Sequence, residues 1–210
     1  MRKDRGMRED RALGVVAGLA RKAAPLAALA LLAGCISFGK DTPATLISLT
    51  ADSSAPAGEL GEGALDEAVT VLDPATDRRL DVQRVPVQVD SSTIAYIKNI
   101  AWVERPARQF RRLLAETIRA GSNRLVVEGN DAEVGGKYVL SGRLIDMGYD
   151  ADSRSVVVRY DALLESTDGP VKSRRFEATV PVVRANAKNV APALNEAANE
   201  VATQVAEWIG

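Results

Sequence analysis

Residues 155–165, SVVVRYDALLE, decide the fold that the sequence predicts. Apolar and polar side chains alternate along most of this stretch, which is the period of a strand with one buried face. The apolar face carries Val156, Val158, Tyr160, Ala162 and Leu164. The other face carries three charged residues and two apolar exceptions, namely Arg159, Asp161, Glu165, Val157 and Leu163. Because an apolar sheet face must be covered, the stretch predicts a strand in a layered domain.

Two flanking stretches extend this strand into a sheet. Residues 137–148 and 171–183 contain further strand-forming residues. The turn-forming sequences DADS (150–153) and TDGP (167–170) separate them from the central strand. Since short turns join strands that run in opposite directions, we expect a three-stranded antiparallel meander.

The first helix that can cover the apolar face is predicted over residues 104–120. Apolar or small side chains recur there at helical spacing, at Phe110, Leu113, Leu114, Thr117 and Ile118. Pro106 suits the first turn, where its missing N–H costs nothing, and Gly121 is placed for a left-handed C-terminal cap. Arginines occupy the opposite face, at Arg105, Arg108, Arg111, Arg112 and Arg119.

A second helix is predicted from about residue 190 to residue 209. It has a narrow apolar stripe made of Val190, Leu194, Ala197, Val201, Val205 and Trp208. Asn189 is a candidate N-cap, and Pro192 is tolerated in the first turn. The many alanines favour close packing on the sheet. Packing on another subunit is the alternative, so a homo-oligomer stays open.

Shorter strands are predicted before the first helix, at residues 44–50, 68–72, 80–89 and 93–97. A flexible loop is predicted over residues 51–63, which are rich in Ser, Ala, Gly and Pro. Pro86 cannot donate to a strand ladder, so its strand is expected at an edge or at a bulge. The order of elements predicts an α+β fold, an antiparallel sheet covered on one face by two amphipathic helices in a two-layer sandwich. Residues 44–210 are expected to form this single domain.

The first 34 residues predict a lipoprotein signal peptide. A basic segment precedes the apolar run 23–33, which is shorter than the roughly 20 residues that a membrane-spanning helix needs. The run ends in Leu32, Ala33, Gly34 and Cys35, which resemble the lipobox of bacterial lipoproteins. We therefore expect cleavage between Gly34 and Cys35, lipid on the Cys35 thiol, and a tether over residues 35–43.

Two alternatives remain for this segment. Cys35 is the only cysteine in the sequence. The alternative to lipidation is that it is a small buried residue of the fold, as cysteine often is. Its place at the end of a signal-like segment favours lipidation. Translation from Met1 or from Met7 leaves basic residues in front of the apolar run in either case.

Composition argues against most enzyme classes. The chain has no histidine, and lipidation uses its one cysteine, so Ser-His-Asp, Cys-His and ordinary zinc sites are excluded. The chain also lacks a Walker A motif and a G-x-G-x-x-G fingerprint. We predict no catalytic residue, no metal and no cofactor, although a pair of carboxylates remains conceivable for acid–base chemistry.

Net charge argues against nucleic-acid binding. The signal segment holds seven basic and three acidic residues, so its removal changes the net charge from −1 to −5. A mildly acidic domain gives no electrostatic reason to bind nucleic acid.

The chain resembles the ABC-type transport auxiliary lipoproteins (PqiC-like). Five stretches carry the resemblance, namely LAGC at 32–35, TLISLT at 45–50, RVPVQV at 84–89, IAYIKNIAWVERPA at 94–107, and the alanine-rich end at 195–208. The family implies a non-enzymatic accessory of an Mce-type lipid transporter, whose other parts are an Mce-domain protein, a permease and an ATPase. It also implies a lipid anchor at the periplasmic face of the outer membrane. Position 36 is Ile and not the Asp of an inner-membrane retention signal, which favours the outer membrane, with the inner membrane as the alternative. A free-standing periplasmic lipid carrier and an envelope-assembly lipoprotein are the alternatives.

Five residues are candidates for contact with a partner or with lipid, namely Tyr96, Trp102, Arg105, Arg108 and Arg112. Aromatic residues are enriched at interfaces, but a Trp at a strand–helix junction is more often part of the core, and we favour the core for it. The arginines form either a solvated helix face or a contact with anionic headgroups or an acidic partner.

Overall fold

The computed structural model describes residues 45–58, 64, 66–122, 124–129 and 136–210. The chain divides into units of residues 1–42 and 43–210, and every described residue belongs to the second unit. The signal segment, the tether and Cys35 lie outside the described residues. Lipidation of Cys35 therefore stays a prediction.

The described residues form nine strands and two helices. In chain order they are β1 (Thr45–Ile47), β2 (Val69–Val71), β3 (Pro86–Gln88), β4 (Ile94–Tyr96), β5 (Ile100–Trp102), α1 (Pro106–Gly121), β6 (Val126–Glu128), β7 (Tyr138–Asp150), β8 (Ser155–Ser166), β9 (Lys172–Pro181) and α2 (Ala187–Ile209). The α+β class is confirmed. Strands β5 and β6 were not predicted, and strands β1 to β4 are shorter than predicted.

The long strands form the predicted meander. Strand β8 pairs antiparallel with β7 on one side and with β9 on the other. The other edge of β7 pairs with two short strands, β2 near its beginning and β3 near its end, and both run parallel to it. The sheet is therefore mixed and not wholly antiparallel. Long connections join β2 and β3 to β7, so the direction of these strands could not be read from a turn.

Pro86 does not lie at an edge, contrary to the prediction. Strand β3 lies between β4 and β7, and Pro86 is its first residue, a position that tolerates a missing donor. Gly148 of β7 makes room for it, since a Cβ atom at Gly148 would lie 2.5 Å from the Pro86 carbonyl oxygen. The irregularity in pairing lies elsewhere, in β7 between Leu144 and Asp146.

The ends of both helices differ from the prediction. Gly121 lies inside α1, and the helix ends at Ser122 in an extended conformation, so there is no left-handed glycine cap. The Ser122 hydroxyl instead donates to the Ile118 carbonyl at 2.8 Å. Helix α2 begins three residues before the predicted start, and its cap is Asn186, whose Oδ1 accepts from the backbone N–H of Asn189 at 3.1 Å. Asn189 is thus a helical residue.

Both helices pack on the predicted apolar face of β8. The Tyr160 ring of β8 meets the Phe110 ring of α1 edge to face, with centroids 5.3 Å apart. The Phe176 ring of β9 meets Trp208 of α2 in the same way at 5.6 Å. Burial raises the pKa of Tyr160, and its hydroxyl donates to the Ser141 carbonyl at 2.8 Å.

Candidate functional site

The two aromatic candidates, Tyr96 and Trp102, differ in their exposure to solvent. Trp102 in β5 is 1% exposed and belongs to the hydrophobic core, in agreement with the core interpretation. Its Nε1 has no hydrogen-bond partner in the described part of the chain. Tyr96 is half-buried in the edge strand β4, with the Arg84 guanidinium 3.9 Å from its ring centroid. In this conformation Tyr96 is accessible to a partner and Trp102 is not.

Three candidate arginines lie together at the beginning of α1. The side chains of Arg105 and Arg108 are each 63% exposed, and that of Arg112 is 53% exposed. Arg105 pairs with Asp81 at 3.2 Å. Arg108 and Arg112 share Glu104, at 3.3 and 2.5 Å. Pairs this exposed are weak in water, so the three guanidinium groups can exchange their partners for another anion.

The other two arginines of α1 are structural, unlike the solvated face that the sequence predicted. Arg119 is mostly buried between Glu116 at 2.7 Å and Glu128 at 3.2 Å. Arg111 is also mostly buried, with its Nε 3.4 Å from an Asp73 oxygen. These ion pairs tie α1 to β6 and to the loop after β2. The sequence could not reveal them because β6 itself was not predicted.

An exposed apolar pair lies beside the exposed arginines. Strands β1 and β5 form a separate two-stranded parallel sheet in which Ile47 opposes Trp102. These two side chains point into the core, so Leu46 and Val103 point outward, with 58% and 48% of their surface exposed. Sequence reasoning missed this pair. The signal was present, because adjacent apolar residues in a strand cannot both face the core.

The segment after β1 is held on the helices, whereas the sequence predicted a flexible loop from residue 51. Residues 49–55, which we call the strap, donate four backbone N–H groups to helix side chains. The pairs are Leu49 to Gln109 Oε1 at 2.9 Å, Thr50 to Asn195 Oδ1 at 2.8 Å, Asp52 to Asn199 Oδ1 at 2.9 Å, and Ala55 to Glu116 Oε1 at 2.8 Å. The strap thus fixes the chain that follows β1 to both helices.

The open face of the sheet carries a ladder of opposite charges. Asp146 of β7 lies between Arg79 at 2.6 Å and Arg159, and Arg159 also pairs with Glu177. Hydrogen bonds from Arg175 lower the pKa of Asp161.

A small depression beside Asp146 and Arg159 has a volume of about 180 Å³. Small-molecule pockets are usually larger, at about 300–1,000 Å³. The charges of the ladder, Arg79, Asp146, Arg159 and Glu177, are paired with one another.

The described residues contain neither a cluster of metal ligands nor a membrane-spanning helix. No group of three or more Asp, Glu, Cys or His side chains is placed to hold a metal ion within the described ranges. Neither α1 nor α2 is long and apolar enough to cross a membrane.

Comparison with known proteins identifies the family. The profile of the "ABC-type transport auxiliary lipoprotein component" family matches residues 48–206. Among curated proteins, no match was found.

Solved structures share the fold. A crystal structure of an uncharacterized protein has a TM-score of 0.64 at 15% identity, with 80% of this chain and 100% of that chain covered. A protein from Xanthomonas campestris has a TM-score of 0.58 at 17% identity, with 80% and 92% covered. At these identities the likeness shows the fold alone. The family match covers nearly the whole described domain, and the chain therefore belongs to the family of ABC-type transport auxiliary lipoprotein components.

Proposed function

We propose that this protein is the lipid-anchored accessory of an Mce-type ABC lipid transporter, and that it acts by protein–protein contact at the periplasmic face of the outer membrane. The observation that carries the proposal is the family match over residues 48–206, which names an auxiliary component of ABC-type transport. Its partners are an Mce-domain protein, a permease and an ATPase. The resemblance of residues 94–107 to accessories of Mce-type transporters supports this choice.

The packing of the domain supports a role that is carried out through its surface. The layer between the sheet and the helices is filled by side chains less than 2% exposed, among them Trp102, Tyr160, Phe110 and Leu114. A free-standing lipid carrier needs space in this layer for acyl chains. Because these side chains pack together in one buried hydrophobic cluster, an accessory that works through its surface is the better match.

The lipid anchor supplies the location. In this proposal the lipid is on Cys35 of the lipobox, and Thr45 of β1 follows ten residues later. A chain of that length spans at most about 35 Å, at roughly 3.5 Å per residue. The domain therefore stays close to the membrane surface, where the periplasmic end of a transporter can meet it.

Affinity capture from detergent-solubilised membranes tests the proposal. We expect the full-length protein to recover an Mce-domain protein, together with the permease and the ATPase, identified by mass spectrometry. Repeated recovery of the lipoprotein without an Mce-domain protein would contradict the proposed partnership.

A Cys35→Ser variant is the matched control for the anchor. Cys35 lies outside the described domain, so we expect the variant to fold and to be released or mislocalised from the outer membrane. Fractionation on a density gradient checks this. A variant that stays in the outer membrane would show that Cys35 is not the anchor.

A further inference from the structure

The surface next to the start of the described chain combines basic and apolar side chains. Thr45, the first described residue, donates its backbone N–H to the Asn99 carbonyl at 3.1 Å, which places Lys98 beside the beginning of β1. At the other end of this small sheet, the backbone N–H of Val103 donates to the Ile47 carbonyl at 3.0 Å. The residues that follow Val103 lead directly into the exposed arginines of α1. We call the six exposed side chains of this region, Leu46, Lys98, Val103, Arg105, Arg108 and Arg112, the anchor-side surface.

The charge of this surface differs from that of the whole domain. It has four basic side chains, with Asp81 and Glu104 as their acidic partners, so it is net positive. The chain from Cys35 onward has a net charge of −5. Clustering of basic residues in an acidic domain indicates an anionic partner at this place.

The chain outside the described residues restricts what that partner is. If Cys35 carries lipid, as the proposed function requires, Thr45 lies within about 35 Å of the bilayer surface. Leu46 directly follows Thr45, so the tether joins the domain at this surface. An apolar pair among basic side chains matches a phospholipid surface, because apolar groups enter the interface while basic groups meet phosphates.

We infer that the anchor-side surface docks on anionic phospholipid headgroups. The Cys35 lipid holds the protein at the membrane, and the docked surface sets the orientation of the domain on it. Lipid phosphates then replace Asp81 and Glu104 as the partners of the three exposed arginines. This inference rests on the proposed anchor and adds an orientation to it.

The single cysteine makes a direct test possible, because a second cysteine can be labelled by itself when Cys35 is lipidated. A fluorophore is attached to full-length lipidated protein at Val103→Cys, or at Ser173→Cys in β9 as the control position. The protein is reconstituted in vesicles with a headgroup-bound quencher. One set of vesicles is phosphatidylcholine alone, and the other contains about one third phosphatidylglycerol as the anionic lipid.

We expect strong quenching at position 103 in the anionic vesicles and weak quenching at position 173 in both sets. Added salt should reduce the quenching at position 103, since salt screens exposed charges. Each basic residue near an anionic leaflet changes the ratio of docked to undocked protein by about fivefold. The double variant Arg108→Glu/Arg112→Glu should therefore reduce quenching at position 103 to its level in neutral vesicles. The matched control Arg174→Glu, an exposed arginine of β9, should leave it unchanged.

Each other outcome overturns the inference in a distinguishable way. Mass spectrometry that finds no lipid on Cys35 removes the proposed anchor and the docking surface with it. If Cys35 is lipidated but the fluorophore at position 103 is not quenched, only the docking surface is ruled out. The arginines then face a protein partner or water. Quenching that is equal in neutral and anionic vesicles would show apolar insertion without recognition of anionic headgroups.

Discussion

The two faces of the β7–β8–β9 sheet are held by different forces. On the covered face, Val156, Val158 and Tyr160 are completely buried under the helices. On the open face, Asp146, Arg159 and neighbouring charges pair across the strands while remaining partly in water. Burial of apolar area is the larger stabilising contribution, and exposed ion pairs add little. The comparison teaches that the covered face determines whether the domain folds, and that the open face can change its charges at small cost.

Truncation at the centre of the covered face should have the largest effect. Phe110→Ala removes the ring that contacts Tyr160 and leaves a cavity in the core. We expect the free energy of unfolding to fall by about 3–5 kcal/mol, as for other buried aromatic residues. Urea denaturation measures it.

Leu163→Ala, an apolar truncation on the open face of β8, is the control and should cost clearly less. Equal losses for the two variants would contradict the difference between the faces.

Removal of Asp146, which pairs with two arginines of the charge ladder, should have an intermediate effect on stability. Asp146→Ala leaves Arg79 and Arg159 without their shared, partly buried carboxylate. Hydrogen bonds to charged groups contribute roughly 1.5–3 kcal/mol, and exposure to water places this loss at the lower end of that range. Thermal unfolding measures it. A loss as large as that of Phe110→Ala would mean that the open face also maintains the fold.

Removal of the Asp161–Arg175 pair should have the smallest effect on stability, and the size of this effect should depend on pH. Arg175 lowers the pKa of Asp161 below its ordinary value of 3.8. The stabilisation is therefore complete at pH values above that ordinary value, and it is lost as the pH falls through the lower pKa of the folded state. We expect Asp161→Asn to be slightly less stable than the wild type at neutral pH, with the difference disappearing in acid. Unfolding curves collected between neutral and acidic pH check this, and a difference that grows in acid would contradict it.

The sequence predicted the parts of the fold that depend on local pattern. The alternation of residues 155–165 located β8 and its buried face, and helical spacing located α1 and α2. Strands β5 and β6 were missed, and β1 to β4 were each predicted too long, because a strand of three residues shows too little period to fix its ends. The parallel pairing of β2 and β3 with β7 also escaped prediction, since it depends on contacts far apart in the chain.

Sequence patterns likewise predicted only part of the candidate site. The exposed arginines Arg105, Arg108 and Arg112 were identified from helical periodicity, and the structure places them together. Periodicity could not separate them from Arg111 and Arg119, whose burial depends on Asp73 and Glu128. The strap was missed because each of its side-chain partners lies at least 60 residues away in sequence.

The strap and β1 also determine how the domain responds to mechanical force. A pull on the residues before Thr45 reaches the β1–β5 pairing first and the four backbone bonds of the strap next. In a parallel pair loaded along the strands, the hydrogen bonds share the tension and must break together. Unfolding under force is governed by the rate of that step, not by the equilibrium stability of the domain. The mechanical strength of the domain on this side is therefore set by the β1–β5 pairing and the strap.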